Sequence, residues 1–220
     1  MINKAAEDGP STHRWWKDWR GHTAAVVGTG PSVKNASVSL LADKMHAIAI
    51  NNAFKLAPWA DALYSCDIGW WQHYEKEWRT FAGLKLTHQA LTCRHFPGIE
   101  RIEIPNVASD QLLIERPGVI GAGGNGGFQG FNLLVQFGVT RIALIGIDCN
   151  LVNGCHFHGR HPSPLNNPAE SNVTRWRKAF NESFGVIGGL GIEVINCSPI
   201  STITAYPKMS VPEMLERWAP

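Results

Sequence analysis

Short apolar runs recur along this chain, and the clearest of them close on glycine, asparagine or aspartate. Residues 23–27 run into Gly28-Thr29-Gly30-Pro31-Ser32, and residues 45–50 into Asn51-Asn52. Residues 62–65 close on Cys66-Asp67, and residues 141–145 on Gly146-Ile147-Asp148. Apolar runs of this length fit strands buried on both faces. Residues 84–87, 99–104 and 193–196 are further strand candidates. Residues 38–44 read as a short helical turn. Asp67 can cap a helix through Phe81 that carries Trp70, Trp71, Tyr74 and Trp78. Helices are also predicted over 128–137, 173–184 and 211–218, with a long polar loop over 149–168. Strands alternating with helices predict an α/β fold: a Rossmann-like open, mostly parallel sheet with helices on both faces. Residues 1–22 read as an N-terminal arm or peripheral helix, and residues 23–220 as a single Rossmann-like domain.

Composition supports a buried sheet. Hydrophobic residues are 44% of the 220 and charged residues 17%. A net charge of +2 is too mild to demand a nucleic-acid partner. The most basic stretch, residues 13–20, carries Trp15, Trp16 and Trp19, which could stack on bases or fold back on the domain. The tryptophan-rich helix over 67–81 has a parallel pair of readings, core packing or contact with another subunit. Exposed tryptophans would fit a homo-oligomer. Five cysteines without a CxxC pair argue against a disulfide framework and for a reducing compartment. No apolar leader or membrane span is visible, so a cytoplasmic protein of a bacterium or a phage-infected host, without a membrane partner, is expected.

In an open parallel sheet, ligands bind beyond the carboxyl ends of the strands. Gly28–Ser32, Asn51-Asn52, Cys66-Asp67 and Asp148–Asn150 can therefore converge on one crevice. The turn at 28–32 lacks the third glycine of a dinucleotide fingerprint, where Val33 stands, and it is no P-loop. Its glycines either let backbone amides approach a ligand or simply build a tight turn. The run Gly121-Ala122-Gly123-Gly124-Asn125-Gly126-Gly127 precedes a helix and can form a nest of amides for a phosphate, with help from Asn125 and Gln129; its other reading is a hinge or lid. Cys155-His156-Phe157-His158-Gly159-Arg160-His161 matches no familiar zinc spacing, so no metal is expected. One of its histidines can act as general base, with Arg160 offsetting ligand charge, or the loop histidines are merely solvated.

The order of these motifs resembles the bacterial sialyltransferase family that uses CMP-sialic acid. It also resembles the related bacterial and phage domains that include the archaeal 6-hydroxymethylpterin pyrophosphokinases. The resemblance rests on Gly28–Ser32, Ile50-Asn51-Asn52-Ala53-Phe54, Gly126-Gly127, Gly146-Ile147-Asp148, the histidine loop and Asn196-Cys197-Ser198-Pro199. It implies that the Gly28 turn, Asn51 and the glycine nest hold the nucleotide of a donor, and that the segment carrying Ser198 lies beside base or ribose. It also implies His161 as the nearest match to the family's catalytic histidine, with His158 as the other choice. Two positions depart from the family: Thr29 replaces an asparagine, and Asn150 replaces a tyrosine that steadies the departing phosphate.

The resulting expectation is a glycosyltransferase-like enzyme. It would bind a nucleotide-linked, CMP-type donor without metal, since no DxD pair is present. The acceptor is open: a glycan, a modified DNA base or a metabolite. The rivals are a non-catalytic nucleotide-binding phage accessory module, and a pterin-type pyrophosphokinase using ATP with magnesium on Asp67 and Asp148.

Overall fold

The computed structural model describes residues 14–219. Seven parallel strands form one sheet: β1 (Thr23–Val27), β2 (His46–Ile50), β3 (Ala62–Tyr64), β4 (Leu84–Thr87), β5 (Glu100–Arg101), β6 (Arg141–Ile145) and β7 (Glu193–Asn196). Their order across the sheet is β5-β4-β3-β2-β1-β6-β7. The chain thus builds outward from β1 to β5, then crosses back to place β6 on the other side of β1. The connections leaving β1 and β6 therefore run toward opposite faces of the sheet, which is where such sheets open a crevice.

The apolar runs are strands because both of their faces are covered. Along β1, Ala24 and Val26 enter one core and Ala25 and Val27 the other, as a two-residue side-chain period requires. The first core lies under α4 (Gly126–Gln136), α5 (Glu170–Glu182) and α6 (Phe184–Gly189). There Phe128, Phe131 and Phe180 pack ring against ring at 5.4–6.4 Å; burying each such ring contributes roughly 1.5–3 kcal/mol. The opposite core joins Trp70 and Trp71 of α1 (Ile68–His73), Trp78 of α2 (Glu75–Trp78) and Met214 of α7 (Val211–Arg217) to the sheet's other face.

None of the nine tryptophans is exposed, so none argues for a subunit contact. Trp19 stacks on His46 at 4.2 Å and meets Phe137 edge-on at 5.0 Å, so the described part of the basic segment folds back onto the sheet and the end of α4. The rest of the expected arm, residues 1–13, lies outside the described residues.

Local departures from the sequence reading have tertiary causes. The helix expected over 67–81 breaks at Tyr74, where the indole of Trp78 donates to the Trp71 carbonyl at 2.6 Å and the Tyr74 hydroxyl reaches His161. The 99–104 strand shortens to β5 because Glu103 pairs instead with Val119. A short helix, α3 (Ala90–His95), was not anticipated. The helix expected over 173–184 begins earlier, at Glu170, and a separate short helix, α6, follows it. No described helix is long and apolar enough to cross a membrane.

Candidate functional site

A cleft of about 290 Å³ opens at the β1/β6 divergence. Its walls come from the loops after β1, β2, β3 and β6, from the start of α4, and from the histidine loop. The four strand ends marked by the sequence do converge.

The β1 side is a rigid internal clamp. Gly28 N–H donates to Ile145 carbonyl at 2.7 Å, and Gly30 N–H to Gly146 carbonyl at 2.8 Å. Ser32 donates its N–H to an Asp148 carboxylate oxygen at 3.0 Å and its hydroxyl to the other. Side chains are excluded here by contact: a Cβ on Gly30 would lie 2.6 Å from Asp148 Oδ2 and 2.8 Å from the Gly146 carbonyl. The glycines of this turn therefore serve the close approach of two loops, and three of its amides are already engaged. Burial raises the pKa of Asp148, opposed by the two hydrogen bonds from Ser32.

The α4 side is open. Asn125 caps the helix, accepting the Phe128 N–H at 2.9 Å, and its amide donates to Gly123 carbonyl at 3.1 Å. The Trp176 indole fixes the loop through the Gly124 carbonyl at 2.8 Å. Gly123 and Gly124 sit at φ of 53° and 73°, which glycine adopts freely. Gly126 and Gly127 line the cleft, and their first-turn amides meet no acceptor among the described residues. A helix start with free N–H groups is an anion site. Opposite stands Asn51, in a left-handed conformation at φ 48°, with a buried Oδ1 that has no partner.

The histidine loop closes one end. It docks through the Phe157 N–H, which donates to the Thr29 carbonyl at 2.7 Å, and through Asn167, which brackets His161 by accepting its N–H at 2.8 Å and donating to its carbonyl at 3.0 Å. His156 Nδ1 meets Thr29 Oγ1 at 3.0 Å, and His161 Nδ1 meets the Tyr74 hydroxyl at 3.1 Å. Burial, then the other histidines of the cluster with Arg160 and Lys55, pushes His156 down to about 3 and His158 down to about 4. His161 is lowered too, first by burial and then by His73, against the opposing pull of Asp67. These rings are neutral at neutral pH.

Of the residues singled out in the sequence, Gly28, Thr29, Gly30, Asn51, Asp67, Asn125, Gly126, Gly127, Asp148, Asn150 and His161 line the cleft. Ser32, Pro31 and Asn52 stand behind it, Asn52 accepting the Trp70 indole N–H at 2.8 Å. Ser198 is fully buried, its hydroxyl accepting the Ile147 N–H at 3.0 Å. Asn150 spends its amide hydrogens on the carbonyls of Asp148 and Ile200, at 3.0 and 2.8 Å. Arg160 is exposed and does not line the cleft, and His158 sits behind the lining rings. Sequence reasoning missed His156, Asn167 and Trp176. Only His156 carried a signal, its place in the histidine-rich run.

No protein-family model matches the chain, and no curated protein matches it in sequence. Its fold is found in glycosyltransferases. The MAf glycosyltransferase of Magnetospirillum magneticum AMB-1 superposes on 92% of the chain with a TM-score of 0.61 at 14% identity; the match spans 37% of that enzyme's length. The sialyltransferase CstII of Campylobacter jejuni, solved with cytidine-5'-monophosphate, superposes on 87% of the chain and 86% of its own length, with a TM-score of 0.55 at 13% identity. The same enzyme with CMP and a trisaccharide acceptor gives 0.50 at 13% identity over 86% of both chains. At these identities the likeness establishes a shared Rossmann-like fold.

Proposed function

We propose that the cleft binds a nucleotide-linked donor and that the protein is a glycosyltransferase-like enzyme. The observation that carries this reading is the pairing of free Gly126 and Gly127 amides with the unpartnered Oδ1 of Asn51 across the crevice of a parallel sheet. The amides suit the donor's phosphate, and the α4 dipole favours charge that grows there as the leaving group departs. Asn51 suits an amino or hydroxyl group of the nucleoside. The proton of an acceptor hydroxyl passes to the histidine cluster, whose His156 and His161 line the cleft. Solved neighbours that hold CMP and a glycan acceptor support a CMP-type donor and a glycan as first choices.

The test is a thermal-shift series with CMP, CDP, UDP and ATP, each with and without magnesium. At a hundred times its Kd, a ligand of the folded state adds about 2.7 kcal/mol of stability. Stabilisation by a cytidine nucleotide without magnesium is the expected result. Stabilisation by ATP only with magnesium would replace this reading with pyrophosphate transfer. Binding with no donor hydrolysis or transfer would leave a nucleotide-binding module, and no shift with any nucleotide would end the proposal.

A further inference from the structure

We propose that His156, His158 and His161 form a binding site for a divalent transition-metal ion of the zinc class. One ring nitrogen from each lies within 4.8 Å of the other two, and the ring centres stand 4.6–5.1 Å apart. Nε2 of His156 and Nε2 of His158 are buried with no hydrogen-bond partner. A buried polar atom left unpaired is costly unless something enters to meet it. The opposite nitrogens are held from outside, His156 Nδ1 by Thr29 Oγ1 and His161 Nδ1 by the Tyr74 hydroxyl. Metal-ligating imidazoles are oriented in this way, with one nitrogen fixed by an outer partner and the other turned to the ion.

The geometry needs little adjustment. Bonds of about 2.0–2.1 Å place three nitrogens of a tetrahedral ion about 3.3 Å apart, so each ring has to move inward by at most roughly 0.9 Å. The nearby cations Arg160 and Lys55 oppose an ion, while Asp67, near His161, offsets them. The expectation of a metal-free loop came from spacing alone, whereas the cluster is made by the loop's fold around Thr29 and Tyr74.

His156 and His161 line the cleft, so the ion's remaining position faces it. Three histidines and an open position make a site that lowers the pKa of a bound water. In the transfer proposed above, an ion held by His156, His158 and His161 would supply a bound hydroxide to take the acceptor's proton in place of the rings, as the acceptor oxygen bonds to the sugar carbon and the bond to the nucleotide phosphate breaks. The metal site itself does not depend on that transfer, and its test reads metal rather than activity.

The full chain is stripped with a chelator, dialysed against Zn²⁺ and assayed for retained metal; Co²⁺ loading is followed by its visible spectrum. One ion per chain and the intense absorption of tetrahedral Co²⁺ are expected. His158→Ala, with circular dichroism matching the parent, should weaken binding by about 100-fold, and Tyr74→Phe by roughly 10-fold. His95→Ala, at an exposed histidine, should change nothing. Retention that survives His158→Ala would overturn the proposal. So would a parent chain that binds no Zn²⁺ and gives only the weak spectrum of octahedral Co²⁺, a result that needs no variant to fold.

Discussion

The turns at 28–32 and 123–127 look alike in sequence, each rich in glycine and each placed before helical structure, yet they do opposite work. In the first, Gly28, Gly30 and Ser32 spend their amides on the end of β6 and the loop after it, and the glycines are small because that loop presses against them. In the second, Asn125 and Trp176 hold the backbone from outside and leave the amides of Gly126 and Gly127 facing the cleft. A glycine-rich turn thus marks close approach, and only the accounting of its N–H groups tells whether the approaching partner is the chain itself or a ligand.

The contrast can be broken by substitution, because changes on the clamp should cost stability and changes on the open side should cost affinity. The largest effect is expected from Gly30→Ala, whose methyl group would strike Asp148 and the Gly146 carbonyl; overpacking of this kind costs about 3 kcal/mol in urea unfolding. Asp148→Ala should follow at about 2 kcal/mol, since it leaves the buried Ser32 donors without their acceptor. Asn51→Gly keeps the left-handed backbone and removes the unpartnered oxygen, so stability should hold while nucleotide affinity in calorimetry falls about 10-fold. Asn125→Ala is the exception on the open side, because it removes the cap of α4 and so should cost about 1 kcal/mol of stability.

The smallest expected effect is on pH. Burial raises the native pKa of Asp148, so the folded state holds this proton more tightly than the unfolded chain does. The stability it contributes is complete below its ordinary value and is lost as pH rises through the raised one. Relative to Asp148→Asn, the parent should therefore lose stability as pH rises above the ordinary aspartate range, read by urea unfolding at each pH.

The strands and their ends were legible because burial on both faces writes continuous apolar runs, as in the HAIAI of β2 and the RIALI of β6. The convergence of their ends followed from parallel topology. What stayed hidden depends on contacts distant in sequence. The break at Tyr74 reflects a hydroxyl drawn to His161, 87 residues on. The clamp joins Ser32 to Asp148 across 116 residues. No periodicity announces that a polar loop will gather His156, His158 and His161, or that Trp176 on a charged helix will turn inward to fix the glycine loop.

The most direct test of the two-turn account follows backbone amides by ¹H–¹⁵N correlation while CMP is added to the labelled protein. Gly126 and Gly127 should show the largest shifts, with Gly28 and Gly30 nearly still. Shifts concentrated on Gly28 and Gly30, with the start of α4 unmoved, would contradict it.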